Sequence, residues 1–389
     1  MTLLTRRHFL ATGAAVLAAP RLALAAAPGE RRFVFVVLRG AMDGLHAVPP
    51  HGDPAYASAR GALALSEGVI DLDGFFGLHP ALAGAEPLYR GGQLLFVHAV
   101  ASPYRERSHF DGQDVLESGA TAPHLLNDGW LGRALPLLGA NGLAVGQGVP
   151  LTLRGPQPVA SWAPSPLAGL TPELVGKLRQ LYAGDPLLSM ALEEGVQSEA
   201  FVAEALTDEP PEMSRKAGNF ASLAEAAGKL LAAKDGPRIA VMEAGGWDTH
   251  TGQGLGQQGR MVGPLTQLGT GLAALAQAMG PAWSKTVVIC ASEFGRTVAM
   301  NGTNGTDHGT GGVVLVAGGA VKGGRVLAQW PGLSAQALYQ GRDLAPTTDL
   351  RAVVKGVLRD HLGLSETALA GTVFPGSPAV KGMDGLIAA

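Results

Sequence analysis

Acids, histidines and arginines gather at five places along this 389-residue chain, each beside a short apolar run. The first is Arg39-Gly-Ala-Met-Asp43-Gly44, and the second Ser102-Pro-Tyr-Arg105-Glu-Arg107-Ser108-His109-Phe-Asp111. The third is Gly245-Gly246-Trp247-Asp248-Thr249-His250, the fourth Ser292-Glu293-Phe294-Gly295-Arg296, and the fifth Thr306-Asp307-His308-Gly309. Carboxylates brought together cannot all stay ionised without a compensating cation. Carboxylate oxygens and neutral imidazole nitrogens suit a divalent metal, one or two ions of zinc, manganese, iron or calcium. Two such ions about 4 Å apart would clamp the attacking and leaving oxygens of a phosphoryl-type transfer. Arginine forks would hold the non-bridging oxygens of a phosphate or sulfate, a role open to Arg105, Arg107 or Arg296. Ser108 or a water molecule would then attack.

Each cluster also has a plainer reading. Asp43-Gly44 fits a turn, and Asp248-Thr-His250 fits the cap of a following helix. Glu293 and Arg296 could pair internally, and Asp307-His308-Gly309 could be a glycine-rich loop. Ser108 suits the N-cap of a helix starting near Phe110 better than it suits a nucleophile. His46, His51, His79, His98, His124 and His361 read as structural or surface residues. The joint placement beside apolar runs favours chemistry over any single motif.

The elements that must position these clusters are legible. Residues 33–38, 94–100, 238–243, 286–291 and 313–317 are short runs dominated by Val, Ile and Phe, the pattern of strands buried on both faces. Helical patterns cover 171–206, 217–233, 261–279 and 348–362, the last with start chemistry in Thr347-Thr348-Asp349 after Pro346 and a stop at Gly363. Strand alternating with helix predicts an α/β fold, a doubly wound and mostly parallel sheet with helices on both faces. Ligands of such sheets bind beyond the carboxyl ends of the strands, so five strands in one parallel sheet would bring the clusters to one edge. Residues 141–170, rich in Gly and Pro, read as loops, and 26–389 reads as a single domain.

Residues 1–25 read as an export leader. Arg6-Arg7 precede an apolar run that ends in Ala23-Leu24-Ala25, the small-x-small pattern of a cleavage site. The run is too short to span a membrane, and the paired arginines favour export by the twin-arginine translocase to the periplasm or beyond, with no stable membrane span, over an ordinary secretory leader or a retained anchor. The formal net charge of −3 becomes more acidic once three leader arginines are removed, which argues against nucleic acid as a partner. Cys290, the one cysteine, excludes an internal disulfide and sits in an apolar run that suits burial. Gly254-Leu-Gly256-Gln-Gln-Gly259 matches a dinucleotide fingerprint but no acid follows it at the ribose distance. Asn301-Gly-Thr303 and Asn304-Gly-Thr306 read as turns rather than glycosylation sites.

Taken in order, the leader arginines, Asp43-Gly, Arg107-Ser108-His109-Phe-Asp111, Gly246-Trp-Asp248-Thr-His250, Ser292-Glu293-Phe-Gly-Arg296-Thr and Asp307-His308-Gly309 resemble the exported family catalogued as domain of unknown function 1501. That family is similar to the alkaline phosphatase and sulfatase superfamily. The resemblance implies a doubly wound sheet with its site at the strand ends. It implies Asp43 as the first-strand metal ligand, Asp248 and His250 as ligands of one metal, Glu293 as the acid of another, and His308 as the last ligand. Ser108 would stand near the nucleophile. The sequence departs from the superfamily in having Phe294 where a His usually follows the acid, and in lacking the sulfatase nucleophile pattern around Ser108. Two functions follow as expectations: a metal-dependent hydrolase of a small phosphate or sulfate ester, or a non-catalytic exported protein that binds a metal, an anion or an envelope component.

Overall fold

A computed structural model of the chain describes residues 30–164, 171–206, 219–254 and 258–388. The leader lies outside these residues, as do 255–257 of the glycine-rich run. The strands are β1 (Arg32–Leu38), β2 (Ile70–Asp71), β3 (Gly77–Leu78), β4 (Leu94–Ala101), β5 (Gly142–Val145), β6 (Ala160–Trp162), β7 (Ile239–Ala244), β8 (Thr286–Ala291), β9 (Gly312–Ala317), β10 (Arg325–Leu327) and β11 (Thr348–Asp349). β2 and β3 form a separate antiparallel ribbon. The others make one nine-stranded sheet in the order β10-β4-β9-β8-β1-β7-β5-β6, with β11 also on β4. The longer helices are α1 (His109–Ser118), α2 (Trp130–Leu138), α3 (Pro172–Tyr182), α4 (Pro186–Ala205), α5 (Phe220–Ala232), α6 (Val262–Met279) and α7 (Leu350–Asp360).

β1 lies at the centre, and residues 33–38 are buried without interruption. Its side chains alternate between two cores, as the pleat requires. Val34, Val36 and Leu38 pack with α5 and α6 residues such as Leu230 and Leu268. Phe33, Phe35 and Val37 pack with Trp130 and Leu131 of α2 and Val353 and Val357 of α7. Helices therefore cover both faces, as expected of an α/β doubly wound sheet. Burying each such aliphatic or aromatic side chain stabilises the fold by about 1.5–3 kcal/mol.

Three expectations are corrected. β9 is not parallel to the other strands: it runs antiparallel to both β4 and β8, while every other pairing in this sheet is parallel. A strand entering from the opposite direction begins at the edge where its neighbours end. That reversal delivers Asp307-His308, which precede β9, to the same edge as the clusters that follow β1, β4, β7 and β8. The helical pattern 171–206 is two helices, because Asp185 caps a new start through the N–H groups of Leu187 and Leu188 and Pro186 has no N–H to continue the old one. Within 141–164, the short strands β5 and β6 extend the sheet beyond β7. Of the start residues Thr347-Thr348-Asp349, Asp349 is the one that caps α7, accepting the N–H of Arg351 at 2.8 Å, and the helix begins at Leu350, after β11. The Asn301 side chain accepts from Thr303 and Gly305 N–H within a turn. Among the described residues, no helix is long and apolar enough to cross a membrane.

Candidate metal centre

Three histidines, His109 from the first position of α1 and His250 and His308 from two loops, face one carboxylate oxygen at the strand ends. Asp248 Oδ1 lies 3.1 Å from His250 Nε2, 3.4 Å from His109 Nε2 and 3.5 Å from His308 Nε2. One donor atom each from His109, Asp248 and His308 falls within 4.8 Å of the others. His250 Nε2 stands 2.9 Å from His308 Nε2.

The other face of each ring explains its orientation. His308 Nδ1 is 2.8 Å from the carbonyl of Arg107, His250 Nδ1 is 2.9 Å from Asp307 Oδ1, and His109 Nδ1 is 2.7 Å from Glu293 Oε1. Those oxygens can only accept, so each Nδ1 donates its hydrogen and each Nε2 is left to turn inward. A histidine anchored through one nitrogen to an oxygen acceptor is the usual arrangement behind a metal ligand. The Nε2 atoms of His250 and His308, each with its lone pair forward, repel at their separation unless a cation lies between them. His109 Nε2 is buried with no hydrogen-bond partner. A tetrahedral ion with bonds of about 2.0–2.1 Å sets its donors about 3.3 Å apart, close to the spacing around Asp248. The residues present therefore fit a divalent metal.

The supports are built locally. Arg107 adopts a left-handed backbone with φ of 61°, uncommon outside glycine, and its carbonyl receives His308. The backbone at Arg296 bridges antiparallel to that at His308, which fixes the last loop beside the fourth. A Cβ at Gly309 would come within 2.3 Å of the Arg296 carbonyl carbon, so only glycine allows this approach. The Phe294 ring packs at 5.1 Å from that of His109 and 5.2 Å from that of His308, a shelf under two imidazoles.

Electrostatics favour ligand-ready states at Asp248 and His308. Burial opposes ionisation of Asp248, yet the hydrogen bond and charge of Arg296, with His109 and His250, hold its carboxyl below the usual range. Burial, joined by the charges of His109 and Arg296, lowers His308 toward the neutral form despite the Arg107 carbonyl. The hydrogen bond to Glu293 raises His109, against burial, with added help from the charges of Glu293 and Asp248.

The sequence-derived residues separate into two groups. Asp248, His250 and His308 come together. Asp43 and Glu293 are not brought into the donor set. Asp43 is buried and bound to Arg60 Nη2 at 2.7 Å and Gln253 Nε2 at 2.6 Å. Glu293 Oε1 accepts from Gly40 N–H and Gln113 as well as His109, so it orients a ligand from behind. Neither arginine is a free anion fork. Arg107 is held by Asp343 Oδ2, with Nε at 2.9 Å, and Arg296 is held by Asp248 Oδ1, with Nη1 at 2.7 Å, and by Thr306. Ser108 occupies the N-cap position of α1, but its hydroxyl caps no N–H. Arg105 turns back onto the backbone carbonyls of Ser102 and Tyr104. Sequence reasoning left His109 out of the ligand set and missed Asp307 as the partner of His250. Both stood in the clusters, and the absent His after Glu293 was a signal that another segment supplies the imidazole.

The family described as "Protein of unknown function (DUF1501)" matches residues 99–373. No curated protein matches the chain. Among solved structures, the C-terminal periplasmic domain of EcEptC from Escherichia coli, in complex with Zn, is 10% identical, with 77% of each chain covered and a TM-score of 0.39. The phosphonate monoester hydrolase of Agrobacterium radiobacter is 13% identical, covering 92% of this chain and 79% of that one at a TM-score of 0.38. BT1596, a 2-O GAG sulfatase, is 10% identical, covering 90% and 72% at a TM-score of 0.36.

Proposed function

The chain belongs to the DUF1501 family, whose match spans most of its length, and from that premise we propose that it is an exported metal-dependent hydrolase of small phosphate or sulfate esters. The observation that carries this reading is the convergence of His109, His250 and His308 on Asp248 at the sheet edge. These four residues would hold the metal, with Glu293, Asp307 and the Arg107 carbonyl orienting the imidazoles. A divalent ion there would polarise an ester oxygen and offset charge on the leaving group. Arg296 keeps the Asp248 carboxylate ionised and so available as a donor. Ser108, at the start of α1 beside His109, would serve as nucleophile, with a water molecule as the alternative. In this reading the leader directs residues 26–389, one domain, through the twin-arginine translocase to the periplasm or outside, away from nucleic acid.

The test uses mature protein purified without chelator and screened against aryl and alkyl phosphate and sulfate esters. Turnover should require a divalent cation and fall to background in Asp248→Ala, with the thermal unfolding transition retained. An Asp248→Ala variant as active as the parent would sink the proposal.

One observation favours a second reading, a non-catalytic member that binds a metal, an anion or an envelope component. Arg107 and Arg296, the candidate clamps for ester oxygens, are both engaged within the protein. Ester turnover that depends on Asp248 or His308 would remove this reading.

A further inference from the structure

We propose that the cluster is a one-ion centre of the zinc class, and that Arg60 is the fixed cation that occupies the place of a second ion beside Asp43. The inference rests on the reading of the cluster as a metal centre and goes on to its number and kind of ion.

The argument begins with what points at each carboxylate. Asp43 Oδ2 accepts from Arg60 Nη2 at 2.7 Å and Gln253 Nε2 at 2.6 Å, and its Oδ1 accepts the N–H of His46 at 3.1 Å. Gln253 cannot turn its oxygen to Asp43 instead, because Oε1 already accepts the hydroxyl of Thr249 at 2.8 Å and that of Thr306. Arg60 cannot swing away, because Nη1 is tied to the carbonyls of Val298 at 2.9 Å and Thr297 at 3.3 Å. Arg60 and Asp43 side chains are 0% and 1% exposed. Each group hydrogen-bonded to the Asp43 carboxylate presents it a hydrogen. Glu293 is likewise surrounded by donors: Gly40 N–H at 2.9 Å, His109 Nδ1 at 2.7 Å and Gln113 Nε2 at 3.1 Å, with Ser292 Oγ at 3.2 Å from its other oxygen. Arg60 pairs the charge of Asp43, and neutral donors occupy the lone pairs of Glu293, both without a metal.

The cluster differs in kind. His109 Nε2 has no hydrogen-bond partner, and the Nε2 atoms of His250 and His308 face each other at 2.9 Å. Inward lone pairs there converge with one Asp248 oxygen, the donor set for one cation. Three of its four donors are imidazole nitrogens. Calcium asks for six to eight oxygens and magnesium for an octahedral oxygen shell, whereas zinc and its transition-metal neighbours accept nitrogen at coordination number four.

The experiment is titration of the untagged, chelator-stripped full chain with Zn²⁺, Co²⁺, Ca²⁺ and Mg²⁺ by calorimetry, with elemental mass spectrometry of the dialysed product. The expected result is one equivalent of Zn²⁺, bound at least about 10³-fold more tightly than Ca²⁺ or Mg²⁺, and a Co²⁺ form with the intense visible absorption of a tetrahedral site. Asp43→Asn should still bind one equivalent, and His109→Ala should bind at least about tenfold more weakly. Two tight equivalents, one of them lost in Asp43→Asn, would overturn the inference, and so would Ca²⁺ binding as tightly as Zn²⁺. No tight equivalent of any metal would overturn both the inference and the hydrolase reading. One equivalent with no ester turnover would uphold the inference and count against the hydrolase alone.

Discussion

Two aspartates at the same sheet edge each hold an arginine at 2.7 Å, and they do different things. Asp43 with Arg60 is sealed inside, within electrostatic reach of His46 and His98, two histidines with no solvent exposure. Asp248 with Arg296 opens to solvent, 44% exposed, among His109, His250 and His308. At Asp43 every hydrogen-bonded partner of the carboxylate donates. At Asp248 one arginine donates while three imidazoles present bare nitrogens. The histidines repeat the contrast: burial pushes His46 down to about 3 and His98 to about 4, so both stay neutral as packing groups. His109, by contrast, is raised, chiefly by its hydrogen bond to Glu293. A carboxylate–arginine pair therefore says little about role until the direction of every surrounding hydrogen and lone pair is counted.

The contrast can be broken most forcefully at Arg60. Replacing it with Met leaves Asp43 buried and uncompensated, which should cost about 3–5 kcal/mol. The urea midpoint should fall accordingly, and an unchanged midpoint would mean that the pair holds nothing together.

Acid probes the same region more gently. A histidine whose folded value lies below the unfolded value of about 6.5 binds its proton more readily when unfolded. Its contribution is fully present above pH 6.5, shrinks as pH falls toward 4, and is flat below that. For His98, buried and lowered to about 4, the loss is about 3 kcal/mol. Comparing chemical denaturation of the parent and His98→Gln at pH 7 and pH 4.5 should show a steeper decline in the parent. Parallel declines would show that His98 titrates normally.

The finest test lies on the Asp248 side. Glu293→Gln keeps the shape but removes the charge behind His109, and second-shell changes of this kind weaken metal binding by about 10–100-fold. Zinc affinity should drop in that range with the unfolding transition nearly unmoved. An equal drop in both would make Glu293 a folding residue rather than an orienting one.

The five main strands and the polar residues beside them were legible because strands buried on both faces announce themselves as unbroken apolar runs. The direction of β9 was not, since a run such as Gly-Val-Val-Leu-Val-Ala reads alike whichever way its neighbours run. Asp248, His250 and His308 were found because acid and imidazole stand two apart or arrive late beside glycine. Arg60 was not, for it reaches Asp43 from a separate short helix, 17 residues on, with no local pattern to betray the pair. His109 was passed over because a Ser-His at a helix start looks like a cap. β5 and β6 were missed because each pairs only three or four residues at the sheet's margin, amid Gly and Pro.

The single buried thiol of Cys290 has a wider consequence. A chain with one cysteine cannot staple its own distant segments covalently. The four inward donors come from three stretches, and His250 and His308 alone are 58 residues apart. An ion seated among them would close loops that length and longer, and the ends of such loops lose much freedom on being joined. Bound metal would then act as the cross-link this molecule otherwise lacks, so that chelation loosens the fastening between α1 and the loops leading out of β7 and into β9.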